Sequence, residues 1–288
     1  MSATNAVLEK VAGLRPTAAG RGGVGAWLHD ILLAPLYRLY THRLREEVVR
    51  SPRPEHVAVI LDGNRRWASA LGLTEPAAGH QHGADKVDEL LRWCAQVGIG
   101  EVTVWALSGE NVAERPSGQL EQLYEVVAAK LESLADVALD PRLPLRIHVF
   151  GRRDRLPGAL RSAVERAEAA SAEDGLRLNV ALGYSGREEL VDACRRLVRD
   201  LARDGVNAEE MPDRVSGEAL AARLYTAGRP DPDLIIRTSG ELRMSGFLPW
   251  QSAHSEYYFT DVYWPAFREL DFLRAIRTYQ QRERRHGA

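Results

Sequence analysis

Short apolar runs alternate with longer amphipathic segments along most of this sequence, from Ser51 onward. The short runs are rich in Val, Ile and Leu and predict strands at Val57–Leu61, Val102–Leu107, Leu145–Phe150, Leu176–Leu182, Leu234–Thr238 and Tyr257–Phe259. Between them, apolar residues recur with helical spacing and predict helices at Ala84–Val97, Gln119–Val137 and Arg187–Leu201. The alternation predicts an α/β fold: a central, mostly parallel sheet covered by helices, in a single domain over residues 51–288.

Residues 1–50 differ from the rest and are predicted to form an N-terminal extension, flexible at first and then helical. The stretch Pro16 to Gly25 is rich in Gly, Ala and Arg, whereas ILLAPLYRLYTHRLREEVV places apolar residues along one side of a helix. Two interpretations of this helix stay open. It packs on the main domain, or it lies at an interface and contacts a membrane or a partner through residues 28–50.

The hydropathy of the sequence indicates whether it contains a membrane-spanning helix or a signal peptide. No stretch approaches the roughly 18 apolar residues of a membrane-spanning helix, and the N-terminus lacks the basic start and apolar run of a signal peptide. We therefore expect a cytoplasmic protein, with peripheral membrane contact as the alternative. Cys94 and Cys194 lie in apolar helical segments, and both are predicted to be buried thiols.

The charge composition limits the binding partners. A formal net charge of −2 argues against a nucleic-acid-binding surface, which needs a large basic patch. Of the 38 Lys and Arg residues, only Lys10, Lys86 and Lys130 are lysine. Because arginine is so common, one arginine beside a glycine is weak evidence for a phosphate site. Only arginines that lie in a motif carry weight.

Polar, glycine-rich segments follow most of the predicted strands. They are Asp62–Arg66, Ser108–Asn111, Gly151–Arg153, Gly183–Arg187 and Arg237–Glu241. In open α/β sheets, ligands bind beyond the carboxyl ends of the strands. These segments therefore predict a ligand site at that edge of the sheet.

The first of these segments follows a buried strand in HVAVILDGNRRWA. Gly63 allows a tight turn, and Asn64 is expected to cap a helix that begins near Arg65. Free N–H groups at a helix start favour an anion, and Arg66 adds a charged fork. A carboxylate such as Asp62 fits beside an anion when a cation lies between them, so the segment predicts Mg²⁺ with a phosphorylated ligand. The alternative is a capped turn with solvated arginines.

A second cluster lies in DLIIRTSGELRMSGF. Arg237 and Arg243, with nearby hydroxyls and glycine amides, form a suitable receptor for a second diphosphate. Downstream, Glu256 lies in an aromatic context. Two interpretations stay open for it: a paired surface carboxylate or a second metal ligand.

These motifs together resemble a known family. DGNRRWA, the S-x-E-N at Ser108–Asn111, IRTSGE-x-R-x-S-x-F and the WQ-to-WP run around Glu256 are similar to those of the cis-prenyltransferases, the undecaprenyl diphosphate synthase or isoprenyl transferase family. The resemblance extends from about Pro54 to the C-terminus. The LYRLYTHRLREE segment also resembles the extension of the actinobacterial short-chain Z-farnesyl diphosphate synthases.

The resemblance implies an Mg²⁺-dependent enzyme that condenses isopentenyl diphosphate with an allylic prenyl diphosphate, as a homodimer. It implies catalytic roles for Asp62 and Asn111 and metal binding by Asp62 and Glu256. It also implies that the substrates are bound by Gly63, Asn64, Arg65, Arg66, Trp67, His80, Ser108, Gly109, Glu110, Arg115, Arg237, Arg243, Met244 and Ser245. The C-terminal Arg285-His-Gly287 resembles a tail that crosses the dimer in some members.

The sequence also departs from the family pattern. Pro76 stands where an arginine is usual, and the segment from Asn111 to Arg115 lacks a tryptophan and has one extra residue. Both changes bear on the choice of allylic substrate. Ala106 is small where short-chain members carry a bulky residue, so it allows a long product whereas the extension favours a short one.

Two other function classes stay open at this point. One is a non-catalytic subunit of a prenyltransferase complex, although the retained Asp62 argues against it. The other is a different Mg²⁺-dependent, phosphate-handling α/β hydrolase, which would release phosphate without lengthening a carbon chain.

Overall fold

A computed structural model describes residues 24–73, 75–109 and 116–282, with side chains from residue 35 onward except that of Pro76. The helices are α1 (Val24–Arg50), α2 (Asn64–Ala70), α3 (Pro76–Val97), α4 (Ser117–Val137), α5 (Gly158–Ala169), α6 (Gly186–Arg203), α7 (Gly217–Ala221) and α8 (Glu269–Gln281). The strands are β1 (His56–Ile60), β2 (Glu101–Trp105), β3 (Leu145–Phe150), β4 (Leu176–Ala181), β5 (Leu234–Arg237) and β6 (Glu256–Phe259). Short 3₁₀ turns lie at Arg153–Arg155, Pro212–Arg214 and Trp264–Ala266.

The six strands form one sheet in the order β3-β4-β2-β1-β5-β6, and every neighbouring pair is parallel. The predicted α/β fold with a covered, mostly parallel sheet is therefore confirmed. The register aligns Ile60 with Trp105 on one side and with Arg237 on the other. The chain passes from β1 to β2 on one side and later returns to β5 on the other, so a topological switch point lies at β1.

The two faces of the sheet are packed differently. Val57 and Val59 belong to a large core with α3, α4, α5 and α8. Ala58 and Ile60 point to the other face, where a smaller cluster includes Trp105. This period-two alternation buries both faces and explains why the strands are apolar throughout.

Helix α1 packs against α8 through its C-terminal half. Tyr40, Leu44 and Val48, spaced four residues apart, are buried in the large core. Arg45 forms an ion pair with Glu269 of α8, with an N–O distance of 2.5 Å. This half of the helix therefore follows the packed interpretation. Contact of residues 28–50 with a membrane stays a prediction, and the expected flexible segment before Val24 lies outside the described residues.

Two expectations about burial can be compared with the structure. Cys94 is fully buried as predicted, whereas Cys194 is exposed on α6, so that part of the prediction is wrong. The apolar period of α6 runs partly along its solvent face, where Val191 and Val198 are also exposed. Among the described residues, no helix is long and apolar enough to cross a membrane.

Candidate active site

A cavity of about 980 Å³ opens at the carboxyl ends of β1, β2 and β5, at the switch point of the sheet. Most of the predicted site residues that the structure describes line it. The lining residues are Ile60, Leu61, Asp62, Gly63, Asn64, Arg65, Arg66, Ser69, His80, Trp105, Ala106, Ser108, Leu123, Arg237, Glu241, Arg243, Ser245 and Tyr263.

Asp62 follows β1 directly, and its backbone is held on both sides. The Thr238 hydroxyl donates to the Asp62 carbonyl oxygen at 2.7 Å and lies 3.0 Å from the Asp62 amide. The Trp264 amide donates to the same carbonyl at 3.0 Å. These contacts fix the position of the carboxylate at the mouth of the cavity.

Two guanidinium groups flank the Asp62 carboxylate. Arg237 donates from Nη2 to Oδ2 at 3.0 Å, and Nη2 of Arg66 lies 3.4 Å from Oδ1. Partial burial opposes ionisation of Asp62, but the Arg237 hydrogen bond and the charges of Arg237 and Arg66 outweigh it and lower the pKa of Asp62. The carboxylate is therefore negatively charged at neutral pH.

The turn after Asp62 depends on Gly63, whose φ of +101° lies in the left-handed region. A Cβ atom here would lie 2.8 Å from Tyr263 Cδ1 and 2.9 Å from Ser239 Cβ. The expectation that Asn64 caps the next helix is wrong. The helix begins at Asn64 itself with Gly63 as its N-cap, and Asn64 Nδ2 donates backward to the Leu61 carbonyl at 3.0 Å.

Arg66 reaches across to the segment that follows β5. Its Nη2 donates to Ser239 Oγ at 2.7 Å, and its Nη1 lies 3.4 Å from Glu241 Oε1. Arg65 is exposed and lines the cavity. Trp67 does not line it, and its ring centroid lies 4.8 Å from that of His82.

Arg237 is nearly buried and organises the loop that carries Arg243. Its Nη1 donates to the Arg243 carbonyl and, at 2.9 Å, to Ser245 Oγ. The Nε atom of Arg237 is buried and has no hydrogen-bond partner among the described residues. The Arg243 side chain is 69% exposed and pairs with Glu241 at 2.7 Å, so it can turn toward a ligand. Met244 accepts a backbone hydrogen bond from Phe247 and does not line the cavity.

His80 and Ser108 lie on the side of the cavity opposite β5. His80 is on α3, and Ser108 follows β2 and pairs with Tyr184 in a parallel bridge. Gly109 continues this segment, and its amide donates to the Tyr184 carbonyl at 3.0 Å. The predicted site residues Glu110, Asn111 and Arg115, and the tail residues Arg285 and Gly287, lie outside the described residues.

Glu256 lies at the other end of the sheet from Asp62. It is the first residue of β6 and aligns with Leu234, the first residue of β5, whereas Asp62 follows the last residues of β1. Its carboxylate is paired with Arg282. Within one chain, at least three strand steps of about 3.3 Å separate the ends of the sheet that carry Glu256 and Asp62. Metal binding by Glu256 stays a prediction.

A smaller apolar pocket of about 70 Å³ lies between α3, α4 and the sheet. It shares Leu61, Asn64, His80, Ala106 and Leu123 with the large cavity. Its walls are aliphatic side chains such as Val87, apart from Asn64, His80, Lys130 and Trp264. An apolar recess thus adjoins a charged cavity, an arrangement that suits a ligand with an anionic head and a hydrocarbon tail.

The sequence comparisons agree with this arrangement. Residues 60–287 match the model of a family described as "Putative undecaprenyl diphosphate synthase". The chain belongs to this family. The resemblance seen in its motifs is therefore confirmed.

Relatives of this undecaprenyl diphosphate synthase family member span nearly its whole length. It is 49% identical over 257 residues to an isoprenyl transferase of Thermus thermophilus, which covers 89% of this chain and 97% of the relative. It is 48% identical over 258 residues to a (2Z,6E)-farnesyl diphosphate synthase of Thermobifida fusca, covering 89% and 99%. The chain is thus a prenyltransferase of the cis type.

A solved structure gives the same assignment. Lavandulyl diphosphate synthase from Lavandula x intermedia, in complex with dimethylallyl diphosphate, superposes with a TM-score of 0.75 at 33% identity. The match covers 83% of this chain and 98% of the other. The α/β architecture described above is therefore that of a cis-prenyltransferase.

The cavity of this cis-prenyltransferase is also lined by Ser69, Glu241 and Tyr263, whose side chains are polar and which were not among the predicted substrate-binding residues. Glu241 lies inside the quoted IRTSGE motif and could have been found as the acidic partner of Arg243. Tyr263 precedes the WP dipeptide, and its ring lies 5.8 Å below the Arg66 guanidinium. Tyr263 is distant from Gly63 in the sequence, and only the folding of the chain brings the two residues together.

The donor set of this cis-prenyltransferase fits Mg²⁺ of the substrate-bridging kind. Among the described residues, no group of three or more His, Cys, Asp or Glu side chains converges into a metal cage. Mg²⁺ commonly keeps several waters and binds one or two carboxylates together with substrate phosphates. The ionised Asp62, with Glu241 also on the cavity wall, meets that description.

Proposed function

We propose that this cis-prenyltransferase joins isopentenyl diphosphate to an allylic prenyl diphosphate and releases a longer diphosphate with a new Z double bond. The observation that carries the proposal is the carboxylate of Asp62, held between Arg237 and Arg66 at the mouth of the large cavity. A fixed carboxylate between two cations supports a site for a metal-bound diphosphate.

The allylic diphosphate is assigned to the turn after β1. Gly63 lets the backbone approach closely, and α2 begins at Asn64 on the wall of the cavity. Arg65 and Arg66 add positive charge there. Bound to Asp62, Mg²⁺ supplies Lewis-acid stabilisation of the leaving diphosphate.

Isopentenyl diphosphate is assigned to the loop after β5. Arg243 and Ser245 line the cavity from this loop, and Arg237 holds both of them from behind. Arg243 is exposed, so its guanidinium is available for a bidentate contact with a diphosphate. The proposal thus assigns the allylic diphosphate to the end of β1 and isopentenyl diphosphate to the end of β5.

The proposed reaction breaks the C–O bond between the allylic carbon and its diphosphate. The double bond of isopentenyl diphosphate supplies the electron pair for the new C–C bond, and a proton then leaves the adjacent carbon of the isopentenyl unit. We assign this proton to a diphosphate oxygen, with Asn111 as a residue that orients the groups, because a neutral amide is a poor base. Water must be excluded from the cationic centre, and the apolar pocket beside Ala106 serves that purpose.

The apolar pocket favours a short product. Its volume of about 70 Å³ is small beside the roughly 300–1,000 Å³ of pockets for drug-sized ligands. The resemblance of the N-terminal extension to short-chain enzymes points the same way, whereas the small side chain of Ala106 leaves room for growth. We therefore propose a product of few isoprene units.

We also propose a homodimer, on the strength of the family resemblance. Strand β6 is at the edge of the sheet, and Glu256 lies at its start. A second chain packed beside this edge would bring its own residues into contact with Glu256 and with the tail Arg285–Gly287. Light scattering on the purified protein tests this: a monomer at all concentrations would contradict the proposal.

One assay tests the proposed reaction. Labelled isopentenyl diphosphate, Mg²⁺ and allylic primers of increasing length are incubated with the full chain, and the products are separated by chain length. We expect elongation of at least one primer, lost when EDTA removes the metal. Phosphate release without elongation would indicate a hydrolase, and no reaction with any primer would indicate a non-catalytic subunit.

A further inference from the structure

A further cavity, of about 630 Å³, opens at the carboxyl end of β3 and is called the β3 cavity below. It shares no lining residue with the large cavity around Asp62. Strand β3 lies three places from β1 in the sheet, so three strand spacings, about 14 Å in all, separate the two strand ends. It is also the edge strand opposite β6, beside which the second chain is proposed to pack. Neither the proposed reaction nor the proposed dimer therefore uses the β3 cavity.

Arginine dominates the walls of the β3 cavity. The arginines come from two directions, the segment after β3 and the helix α6, and they are Arg152, Arg153, Arg195, Arg196 and Arg199. Positive charge therefore lies on two walls of one cavity. Such an arrangement is typical of a receptor for an anion with more than one charged group.

The acidic residues of this region hold the arginines that follow β3. Asp154 accepts two hydrogen bonds from Arg152, at 2.9 Å each, and Asp192 lies 3.5 Å from Nη1 of the same side chain. Arg153 pairs with Glu168 of α5, at 2.9 Å between Nη1 and Oε2. These contacts fix two guanidinium groups at the end of β3 before a ligand arrives, which lowers the entropic cost of binding.

Two arginines of α6 lack an acidic partner in the described part of the chain. Arg199 is exposed and forms no ion pair there. Arg196 has its Cζ atom 5.1 Å from the centre of the Tyr225 ring, and its Nη1 donates to the Arg223 carbonyl at 3.0 Å. Neither contact neutralises its charge. Even with Glu168 counted, three carboxylates face five guanidinium groups, so the β3 cavity has an excess of positive charge.

The walls of the β3 cavity favour an inorganic anion over a lipid. Guanidinium groups bind phosphate oxygens through paired N–H donors. The apolar residues on the wall are Val149, Phe150 and Leu224, and all three are almost completely buried. Little apolar surface is therefore left for a hydrocarbon tail, in contrast to the apolar pocket beside the large cavity. A diphosphate has two charged groups and can contact both arginine walls at once.

We propose that the β3 cavity is a second anion site of this cis-prenyltransferase and that it binds inorganic diphosphate. The inference rests on the proposed function, because the proposed reaction releases inorganic diphosphate. Arg152 and Arg153 contact one phosphoryl group from their fixed positions, and Arg196 and Arg199 contact the other from α6. Guanidinium groups supply the charge, so this site requires no metal ion. The site therefore fills as the released diphosphate accumulates.

Protection of arginine from chemical labelling locates the site. The full chain is treated with phenylglyoxal, an arginine-specific reagent, with and without inorganic diphosphate, and mass spectrometry of peptides reads each arginine separately. EDTA is present, so metal-bound diphosphate at Asp62 does not contribute. At a diphosphate concentration of ten times the Kd, we expect labelling of Arg196 and Arg199 to slow about tenfold. Arg203 is the control, because it is exposed on the same helix and pairs with Asp200 outside the cavity.

A variant tests the contribution of one side chain. The protection of Arg196, titrated with inorganic diphosphate, gives a Kd for the β3 cavity alone. Arg199→Gln should raise this Kd about tenfold, because a charge-assisted hydrogen bond is lost. Arg203→Gln should leave it within twofold, and circular dichroism checks the fold of both variants. An unchanged Kd in folded Arg199→Gln would overturn the assignment of Arg199 to the site.

Two other anions test the identity of the ligand. Inorganic phosphate should require about tenfold higher concentration than diphosphate to protect Arg196, because it contacts one wall only. Isopentenyl diphosphate should protect no better than inorganic diphosphate. Equal protection by inorganic phosphate would overturn the choice of a diphosphate, and stronger protection by isopentenyl diphosphate would show that the site binds the head of a prenyl diphosphate instead.

The outcomes also separate this inference from the proposed function. Protection confined to the large cavity, at Arg65 and Arg243, would overturn the second site, as would equal protection of Arg203. Binding of inorganic diphosphate needs no turnover. Failure of the unmodified protein to elongate any primer would therefore overturn the proposed function without changing the labelling result.

Discussion

Arg237 donates a hydrogen bond to Asp62 across the boundary between β5 and β1, with 3.0 Å between Nη2 and Oδ2. The same guanidinium holds Ser245 through its other terminal nitrogen. One arginine thus links the carboxylate proposed to bind the metal with the loop proposed to bind isopentenyl diphosphate. The two substrate positions are therefore set relative to each other by a single rigid group.

The first prediction concerns Asp62. Asp62→Ala should lower kcat by about 10²–10³-fold, because the charge that places the metal and the leaving diphosphate is lost. Steady-state kinetics measures this, with circular dichroism to show that the fold is kept. Asp154→Ala is the control, since that exposed carboxylate also follows a strand of the sheet and pairs only with Arg152 in the described part of the chain. Near-normal turnover of Asp62→Ala would remove Asp62 from the mechanism.

Substitution of Arg243 should distinguish the isopentenyl diphosphate site from the allylic site. Arg243→Ala should raise the KM for isopentenyl diphosphate by about tenfold and change kcat little, because an exposed charge that binds the ground state and the transition state alike is lost. Arg142→Ala, which removes another exposed arginine paired with a neighbouring acid, should change neither constant. A rise in the allylic KM alone would mean that the two sites are exchanged.

Gly63 is required both for its backbone conformation and for space. Gly63→Ala should lower the free energy of unfolding by about 1–3 kcal/mol more than Gly72→Ala, because a new Cβ would collide with Tyr263 and Ser239. Gly72 has a φ of +70°, but a Cβ there meets none of the described residues within 4 Å, so the pair separates crowding from backbone strain. Urea denaturation measures both. Equal losses would show that crowding contributes nothing.

The stability of the fold should depend on pH through His56. This side chain is 3% exposed, with Nδ1 2.9 Å from the Pro230 carbonyl and Nε2 2.8 Å from Thr103 Oγ1. Burial lowers the pKa of His56, although nearby carboxylates oppose the shift. As the pH falls, His56 therefore becomes protonated in the unfolded chain at a higher pH than in the folded protein. Stability should fall as the pH drops below about 6.5, by up to about 1.4 kcal/mol per pH unit.

Urea midpoints at pH 7.5 and 5.5 measure this effect. His56→Gln should flatten the difference, whereas His42→Gln, on the exposed face of α1, should leave it as in the unmodified protein. If both variants keep the same pH dependence, some group other than His56 causes it.

Product length should respond to Ala106, which lines both the charged cavity and the apolar pocket. Ala106→Leu narrows the passage between them and should shift the products to fewer isoprene units, as measured by chromatography of the dephosphorylated products. Ala95→Leu adds the same volume at an exposed site on α3 and serves as the control. An unchanged distribution in both would place the limit on growth elsewhere.

The sequence predicted which residues lie at the ends of the strands, but not which strands lie side by side in the sheet. Asp62 and Arg237 could both be placed at the carboxyl edge, because each follows an apolar run. Their direct pairing depends on β5 lying beside β1, which no local pattern encodes. The position of Glu256 also follows from its place in a strand: it begins β6, so it lies at the amino edge, far from Asp62 of the same chain.

Local geometry explains the other differences. Asparagine is a common N-cap residue, which is why Asn64 was expected to cap the helix. The left-handed conformation of Gly63 instead makes Gly63 the N-cap, so the helix begins one residue earlier. Arg196 and Arg199 lie on an exposed side of an amphipathic helix, and they become part of a cavity only because α6 lies beside the end of β3. Such roles depend on contacts between distant segments, which single-sequence patterns do not contain.

The pairing of β1 with β5 has a consequence for the order of folding. Asp62 and Arg237 are 175 residues apart, so the ribosome has to deliver five of the six strands before the two charges can meet. Until then β1 exposes one hydrogen-bonding edge, and any sub-fragment that ends before β5 has half an anion site. We therefore expect a nascent chain to gain its diphosphate site only late in synthesis, once β5 has paired with β1.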